Sequence, residues 1–214
     1  MKKGVHSSYP GIFIGIDGPN GVGKSTVIEH LINDLKIVFP DYECIKITEP
    51  SKSSIGVSIR EFSEKQIHGN TLLHLVAADR EFNHAEYIRP LLENKKVILI
   101  TDRYFSSSLV YQRMHGLDID TILTIHNNIY IPDILFILNG NIEIIKARLS
   151  NDRKSSQLFE NAENVEIETQ YFNDSVEILN GIDYNVSKVF NQDLLETVSI
   201  LKKQIVEVIL NKSN

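Results

Sequence analysis

A short glycine-rich segment near the start of the sequence constrains the fold of this chain more than any other feature. Residues 18–26 read Gly-Pro-Asn-Gly-Val-Gly-Lys-Ser-Thr and match the pattern G-x-x-x-x-G-K-[ST]. Glycines let the backbone curl so that several N–H groups point inward, and a helix that follows adds the positive end of its dipole. An apolar run precedes the segment, and apolar residues at helical spacing follow it. The pattern therefore predicts a phosphate-binding loop between a strand and a helix.

The same segment predicts that the chain binds a nucleoside triphosphate together with Mg²⁺. The Lys24 ammonium is expected to reach the β- and γ-phosphates of ATP, and the Ser25 hydroxyl is expected to ligate the metal. Asp102 follows the apolar run at 97–101, and proteins with this loop commonly place an acid at such a strand end to hold the metal shell. The loop residues expected to bind ATP are Gly18, Asn20, Gly21, Val22, Gly23, Lys24, Ser25 and Thr26.

Short apolar runs alternate with longer amphipathic stretches along the chain. The apolar runs predict five strands, at 12–17, 44–48, 97–101, 134–138 and, more weakly, 184–189. The amphipathic stretches predict helices at 24–38, 55–67, 71–93 (interrupted at Pro90), 107–127, 142–149, 165–179 and 192–210. This alternation predicts a three-layer α/β fold of the P-loop NTPase type, with a five-stranded parallel sheet and helices on both faces. We expect a single domain over residues 1–214, with a lid at about 150–160.

Composition narrows the partners and the compartment. The chain has 22 basic and 28 acidic residues, a net charge of -6, which is a poor electrostatic match for nucleic acid or an anionic membrane. The single cysteine, Cys44, cannot form an internal disulfide, so we expect a reducing compartment and a cytoplasmic protein. No apolar segment approaches the length of a transmembrane helix. The seven histidines show no metal-ligand spacing, so a zinc site is not expected.

Four sequence blocks, in the same order and spacing, resemble the thymidylate kinase family. Residues 102–112 read Asp-Arg-Tyr-Phe-Ser-Ser-Ser-Leu-Val-Tyr-Gln and are similar to the family block D-R-[YH]-x-x-S-[ST]-x-A-Y-Q. The other three blocks are Thr48-Glu49-Pro50 with Ile55-Gly56 and Ile59-Arg60, then Ala77-Ala78-Asp79-Arg80, then Pro132-Asp133. The resemblance covers about residues 11–180. It implies transfer of the γ-phosphoryl group of MgATP to dTMP, giving dTDP and ADP, in pyrimidine deoxynucleotide synthesis.

The resemblance also implies which residues bind the acceptor. Arg103 is expected to hold the acceptor phosphate, Arg80 to contact the base, and Tyr111 to pack where a ribose 2′-hydroxyl would lie. Asn20 stands where many members use an aspartate for the sugar 3′-hydroxyl. The full set of predicted acceptor-binding residues is Asn20, Glu49, Lys52, Val76, Arg80, Arg103, Ser108, Tyr111 and Gln112. The predicted catalytic residues are Lys24, Asp102, Arg103 and Arg153.

Two arginines after the fourth strand complete the predicted site. By resemblance, Arg148 is expected to lie on or near the adenine. Gly21 stands where one subtype of the family carries a loop arginine, and the other subtype supplies that cation from a mobile lid. We therefore predict Arg153 as the clamp on the γ-phosphate. The resemblance further implies a homodimer, for which the stretches at 71–93 and 107–127 could provide a face.

The sequence departs from the family pattern on the acceptor side. Val76 stands where the family usually has a phenylalanine stacked on thymine, and Thr48 replaces the arginine before Glu-Pro. Ser51 replaces the glycine that usually follows, and Asn139 replaces the aspartate at the end of the fourth strand. Phosphoryl transfer is expected to survive these changes, because the loop and the metal acid Asp102 are intact, but base preference stays open.

Two other functions remain open from the sequence alone. Deoxynucleoside kinases share the fold and use a glutamate in a similar strand-end turn as general base for a 5′-hydroxyl, a role that Glu49 could take. A regulator that binds nucleotide without turnover would be a protein of another class. The substitution Glu49→Gln separates the two enzymes, and Lys24→Ala separates both from the regulator.

Overall fold

The computed structural model describes residues 5–6, 9–151 and 164–213. Seven strands are assigned: β1 (Val5–His6), β2 (Ile12–Asp17), β3 (Glu43–Thr48), β4 (Val97–Asp102), β5 (Tyr130–Ile131), β6 (Ile134–Asn139) and β7 (Val186–Phe190). Nine α-helices are assigned in the described ranges: α1 (Lys24–Val38), α2 (Ser54–Glu64), α3 (Asn70–Asn83), α4 (Arg89–Leu92), α5 (Phe105–Met114), α6 (Ile119–Ile125), α7 (Ile142–Asn151), α8 (Val165–Asn180) and α9 (Leu194–Ser213). A π-helical segment, His84–Ile88, joins α3 to α4.

Five strands form one parallel sheet in the order β3-β4-β2-β6-β7. Every residue of β2, β4 and β6 is buried, as near-continuous apolar runs in a sheet covered on both faces require. The prediction of an α/β fold with a five-stranded parallel sheet is therefore confirmed. The predicted bounds of the five strands also agree with the structure to within two residues at either end.

The pleat of the strands divides the apolar core into two layers. Alternate residues such as Ile14, Ile100 and Phe136 face a cluster with α1 and α9. The residues between them, such as Phe13 and Leu99, face a second cluster with α5 and α8. Because successive side chains of a strand point to opposite faces, one apolar run serves both layers.

Two features of the fold differ from the sequence prediction. The stretch at 107–127 was expected to be one helical region, but it forms two helices, because Gly116 adopts φ 82° between α5 and α6. Asp118 then caps α6, with its Oδ1 accepting a hydrogen bond from the Thr121 N–H at 2.8 Å. The short parallel pair of β1 with β5 was not predicted, because two-residue strands carry no periodic signal.

Pro90 interrupts the predicted helix at 71–93, as expected. Proline has no N–H to donate to the carbonyl four residues earlier. The chain widens into the π-helical segment just before it, where the Arg89 N–H bonds the His84 carbonyl. The helix nevertheless continues as α4 and ends at Leu92.

The carboxyl ends of β2, β3 and β4 meet at one edge of the sheet. Asp102 pairs with Ile16 of β2 on one side and with Thr48 of β3 on the other. In open parallel sheets ligands bind at this edge, in the crevice between strands that lead to helices on opposite faces.

None of the described helices is both long enough and apolar enough to span a bilayer.

Candidate active site

The glycine-rich segment forms a tight loop between β2 and α1. Gly18, Gly21 and Gly23 all have positive φ, at 142°, 74° and 98°. A Cβ on Gly18 would lie 2.3 Å from the carbonyl oxygen of Leu138, so a side chain cannot fit there. Gly23 immediately precedes α1, whose first-turn N–H groups face the loop without a side-chain cap. The loop therefore has the concave shape and free donors of an anion site.

Lys24 lies folded over this loop. Its Nζ donates to the carbonyl oxygens of Gly18 at 2.7 Å and Pro19 at 2.8 Å, and the side chain is buried. Burial, together with the positive charge of Arg103, lowers the pKa of Lys24 to about 7. Asp17, Asp102 and Glu168 favour the charged ammonium, and an anion placed in the loop would add to their effect.

Ser25 and Asp102 form an oxygen-rich pair beside the loop. The Ser25 hydroxyl donates to Asp102 Oδ2 at 3.1 Å, and Lys46 Nζ lies 3.0 Å from the same oxygen. Hydroxyl and carboxylate oxygens are the ligands that Mg²⁺ takes, usually with phosphate oxygens and water completing its shell. Across residues 5–6, 9–151 and 164–213 no group of three or more His, Cys, Asp or Glu is placed to hold an ion. The pair thus fits a metal whose remaining ligands are phosphate oxygens and water.

The cleft around the loop extends towards α7 and β7. Its wall is formed by Asn20, Gly21, Gly23, Lys24, Ser25, Thr26, Thr48, Asp102, Arg103, Arg148, Leu149, Asn191, Gln192 and Leu194. Arg148 Nη1 donates to the Gly21 carbonyl at 3.3 Å, and Asn191 Nδ2 donates to the Val22 carbonyl at 2.7 Å. The Val22 side chain itself is buried in the core, so only its backbone faces this region.

Sequence reasoning missed Asn191 and Gln192 in this cleft, because they follow a weak strand and carry no motif. Arg153 and most of the predicted lid at about 150–160 lie outside the described residues.

Arg103 connects the loop to a second cleft. Its backbone adopts φ 72°, which is costly for a residue with a side chain, and its N–H bonds the Ile16 carbonyl at 2.9 Å. The guanidinium donates to Tyr111 Oη at 3.0 Å, to Ser107 Oγ at 3.2 Å and to Asn20 Oδ1. Arg103 and Asn20 line both clefts. The arrangement therefore holds a cation at the boundary between them.

Asp17 fixes the segment that carries Arg103. Its buried carboxylate accepts hydrogen bonds from the hydroxyls of Ser106 at 2.6 Å and Ser107 at 2.8 Å. It also accepts from the backbone N–H groups of Gly18, Tyr104 and Ser107. A carboxylate from β2 therefore caps the start of α5 and ties it to the loop. The sequence signal was an acid at the end of a buried strand, next to the glycine-rich segment.

The second cleft encloses a mostly apolar pocket with several polar groups at its inner end. It is lined by Asn20, Glu49, Pro50, Ile59, Arg60, Ser63, Glu64, Leu72, Val76, Asp79, Arg80, Arg103, Tyr104, Ser107, Ser108, Tyr111, Gln112 and His115. Two buried oxygens of this wall, Glu49 Oε1 and Gln112 Oε1, have no hydrogen-bond partner within the described part of the chain. Buried acceptors of this kind are costly unless a ligand supplies donors. Val76 contributes an apolar, half-buried surface.

Arg80 anchors the polar end of this pocket. Its Nε and Nη2 both donate to Glu49 Oε2, at 2.8 and 2.6 Å, and both side chains are buried. Its Nη1 lies 3.1 Å from Ser108 Oγ and 3.1 Å from His126 Nδ1. Burial raises the pKa of the Glu49 carboxyl, and the charge of Arg80 opposes that shift.

His126 is a supporting residue that the sequence does not reveal, because it lies in no motif and 46 residues from Arg80. Burial beside Arg80 lowers the pKa of His126 to about 2, so the ring is neutral. Arginine can only donate, so His126 Nδ1 must accept and the ring proton lies on Nε2.

A small network holds the turn after β3 under the pocket. Asp79 of α3 accepts hydrogen bonds from Ser51 N–H at 2.6 Å and from the hydroxyls of Ser51 and Ser53. Gly56 is required there, because a Cβ would lie 2.1 Å from the Ser51 carbonyl oxygen. Lys52, in the same turn, is exposed and lines neither cleft, so its role in binding the acceptor stays a prediction.

One buried acid comes from a distant helix. Glu168 of α8 is 1% exposed, and its Oε1 accepts from the Asn20 N–H at 3.1 Å and from Asn20 Nδ2 at 3.2 Å. The Tyr111 hydroxyl donates to the same oxygen. Glu168 was not predicted, since it lies in an amphipathic stretch with no motif.

The described structure thus brings most of the predicted residues into two adjoining clefts. One gathers Asn20, Gly21, Gly23, Lys24, Ser25, Thr26, Asp102, Arg103 and Arg148, and the other gathers Asn20, Glu49, Val76, Arg80, Arg103, Ser108, Tyr111 and Gln112. The two share Asn20 and Arg103. Such an arrangement can align a donor phosphate chain with a second ligand whose anionic end lies at Arg103.

Comparison with known proteins agrees with this geometry. A family model described as thymidylate kinase matches residues 16–190. A probable thymidylate kinase of Methanococcus aeolicus is 34% identical, with the alignment covering 94% of this chain and 96% of that protein. A probable thymidylate kinase of Caldivirga maquilingensis is 34% identical over 65% of this chain and 68% of that protein. The thymidylate kinase of Leuconostoc mesenteroides is 34% identical over 67% of this chain and 70% of its own length.

Proposed function

This chain belongs to the thymidylate kinase family, and on that premise we propose that it transfers the γ-phosphoryl group of MgATP to dTMP, giving dTDP and ADP. The observation that carries the proposal is the shared wall of the two clefts. Asn20 and Arg103 line both the phosphate loop's cleft and the pocket that ends at Arg80. A cation at that boundary is where the phosphate of an acceptor has to meet the phosphates of a donor.

On the donor side, we assign the loop and Lys24 to the triphosphate of ATP. The inward N–H groups and the N-terminal end of α1 support this assignment, because both favour anions. Ser25 and Asp102 would hold Mg²⁺, and Arg148 would lie beside the adenine. When bound, Mg²⁺ neutralises charge on the β- and γ-phosphates.

On the acceptor side, we assign Arg103 to the phosphate of dTMP and the pocket at Arg80 to its base. An unpartnered oxygen, Glu49 Oε1 or Gln112 Oε1, and the apolar surface of Val76 support binding of thymine, which offers one N–H donor and flat apolar faces. Tyr111 and Asn20 would then lie beside the sugar.

The chemistry needs positioning and charge more than proton transfer. A phosphate acceptor is already ionised at neutral pH, so no strong general base has to be present. Lys24 and Arg103 would hold the two phosphate groups in line and stabilise the charge that builds up between them. Arg153, beyond the described residues, is our proposed clamp on the γ-phosphate.

Neither alternative function gains support. Glu49 Oε2 accepts two hydrogen bonds from Arg80, which does not suit a general base. The relatives of this chain named above are described as thymidylate kinases or probable thymidylate kinases. Lys24 and Ser25 of the loop lie beside Asp102 of β4, an arrangement that a regulator without turnover does not need.

The test is ADP release from MgATP with a panel of acceptors: dTMP, dUMP, dCMP, dGMP, UMP, thymidine and deoxycytidine. The proposal predicts fast turnover on dTMP and little on thymidine. Turnover on nucleosides would move the assignment to a nucleoside kinase, and silence on every acceptor with ATP still bound would favour the regulator.

We also propose a homodimer that works in the cytoplasm with small nucleotides and no nucleic acid. The net charge of -6 disfavours nucleic acid. The exposed rings of Phe82 and Tyr87, in edge contact with centroids 6.2 Å apart, support a dimer face on α3 and the π-helical segment. Sedimentation velocity tests this: the native chain should sediment as a dimer and Tyr87→Glu as a monomer. A monomeric native chain would contradict the dimer.

A further inference from the structure

Glu168 is the buried acid that the proposed chemistry has not used. It lies on α8, 148 residues along the chain from Asn20, and it is 1% exposed. Three donors converge on its Oε1: the Asn20 backbone N–H, Asn20 Nδ2 and the Tyr111 hydroxyl. Burying a carboxylate costs free energy, and an acid confined to helix packing would be replaced at no loss by an apolar side chain. Its position against the glycine-rich loop therefore indicates a functional role.

A carboxylate fixes the direction of the hydrogen bonds around it, because it can only accept. Asn20 must turn its NH₂ group towards Glu168, so its Oδ1 is the atom that receives Arg103 Nη2. Tyr111 gives its proton to Glu168, so its oxygen acts as an acceptor towards Arg103 Nη1 at 3.0 Å and Asn20 Nδ2 at 3.2 Å. Two of the contacts that hold the Arg103 guanidinium, those with Asn20 and Tyr111, thus depend on Glu168. The Ser107 hydroxyl at 3.2 Å and the Asp17 carboxylate at 3.7 Å hold it from the other side.

Glu168 also adds to the negative charge of the cluster. Arg103 and Lys24 bring two positive charges to the boundary, and Glu168 is one of the carboxylates that face them, with Asp17 and Asp102 as the others. Burial raises the pKa of the Glu168 carboxyl, while the Tyr111 hydrogen bond and the charges of Arg103 and Lys24 oppose that shift.

We propose that Glu168 is a positioning residue for the acceptor: it orients the Asn20 amide and the Tyr111 hydroxyl, and through them it places Arg103 between the two clefts. Affinity for the acceptor, and preference for its sugar, then depend on a residue outside every recognised motif. The inference rests on the proposed function only in naming dTMP as the acceptor.

The effect of removing the charge follows from this geometry. In Glu168→Gln the side chain keeps its shape but can offer either an oxygen or an NH₂ group to Asn20, so the amide of Asn20 is no longer fixed. We expect the KM for dTMP to rise about tenfold, the size of one lost charge-assisted hydrogen bond. The kcat should fall as well, because Arg103 also stabilises the charge that builds up between the two phosphate groups. The KM for ATP should change less than about threefold. The ratio of dUMP to UMP turnover should fall as well, because Tyr111 is no longer held.

A charge exchange provides the sharpest test. Asn20→Asp alone places two carboxylates in contact and should also raise the KM for dTMP. The double variant Asn20→Asp/Glu168→Gln moves one negative charge from residue 168 to residue 20, the two ends of a hydrogen bond of 3.2 Å. The KM for dTMP should then return to within about threefold of the native value. Glu166→Gln is the matched control, because Glu166 lies on the same helix but is exposed and paired with Lys146.

The outcomes separate this inference from the proposed function. If Glu168→Gln behaves like Glu166→Gln, or if the two single effects simply multiply in the double variant, the inference is overturned. If Glu168→Gln does not fold, recovery of folding and of the dTMP KM in the double variant supports it, and failure to recover overturns it. If the native enzyme prefers another acceptor, the proposed function fails, and the same four variants measured on that acceptor still decide the role of Glu168.

Discussion

Arg80 places two N–H groups, Nε and Nη2, on a single oxygen of Glu49, at 2.8 and 2.6 Å. The contact joins α3 to the residue after β3 in the wall of the second cleft. It leaves the second oxygen, Oε1, buried without a hydrogen-bond partner among the described residues. The ion pair therefore fixes the polar end of the pocket. It also leaves one carboxylate oxygen that could accept a hydrogen bond from a ligand.

Glu49→Gln should act on stability and acceptor affinity more than on the chemical step. The buried guanidinium of Arg80 would lose its counter-charge, which costs about 3 kcal/mol of unfolding free energy. We expect a higher KM for dTMP and a kcat that falls less than about tenfold. Urea unfolding and steady-state kinetics measure both, with exposed Glu61→Gln as control. Loss of kcat without a change in stability would instead indicate a general base.

ATP binding should be accompanied by proton uptake above neutral pH. Burial lowers the pKa of Lys24 to about 7 in the free protein, so at pH 8 the Lys24 side chain is neutral in most of the molecules. The triphosphate favours the charged form and raises that pKa, so binding should take up close to one proton, about 0.9. The phosphates do not contribute, because their second pKa is about 6.

Calorimetry in two buffers of different ionisation enthalpy measures this uptake. Lys24→Met should bind without it, and Lys36→Met, an exposed change on the same helix, should keep it. Binding of ATP to the native protein at pH 8 with no proton taken up would contradict the environment described for Lys24.

His126 should make the protein sensitive to acid. Its pKa is lowered to about 2 in the folded protein but is about 6.5 in the unfolded chain. As pH falls below 6.5 only the unfolded chain takes up this proton, so the unfolding free energy falls by about 1.4 kcal/mol per pH unit from this group. His126→Gln keeps an acceptor for Arg80 and should remove that part of the slope.

The measurement is urea unfolding at pH 6.5 and 4.5 for the native protein, His126→Gln and exposed His30→Gln. Only His126→Gln should narrow the difference between the two pH values. Equal differences in all three proteins would mean that His126 is not held neutral by its surroundings.

Asp17→Asn should destabilise the protein strongly, because the carboxylate receives five hydrogen bonds. The NH₂ group of an asparagine would point at other hydrogen-bond donors, which would then have no acceptor. Leaving these buried donors unsatisfied should lower the free energy of unfolding by about 2–4 kcal/mol. The same change at the exposed cap of α6, Asp118→Asn, should cost little, since asparagine caps equally well. Thermal unfolding of both variants compares the two sites, and equal losses would refute the role of Asp17.

The sequence could predict those parts of the site that lie in one continuous segment. Lys24, Ser25 and the glycines share a loop whose spacing sets their geometry, and Asp102 ends an apolar strand that the sheet brings beside them. The alternation of strands and helices likewise determined the order of layers. Local sequence patterns are sufficient to predict this part of the site, because its residues are close in sequence or are brought together by neighbouring strands of the parallel sheet.

The remaining groups depend on packing between distant segments. Glu168 reaches Asn20 across 148 residues, and His126 reaches Arg80 across 46, and neither carries a motif. Lys52 lies near the predicted acceptor residues in sequence, yet the turn after β3 leaves it exposed. The direction of a side chain in a turn is set by tertiary contacts, here those of Asp79 with Ser51, which no local pattern reports.

The most direct test of the account follows the phosphoryl group itself. Native protein, MgATP labelled at the γ-phosphate, and either dTMP or thymidine would be incubated, and the labelled products separated by chromatography. The account predicts labelled dTDP in equal amount to ADP, little label on thymidine, and a rate at least about 10²-fold lower for Lys24→Ala. ADP formed without labelled dTDP, or label transferred to thymidine in preference to dTMP, would contradict it.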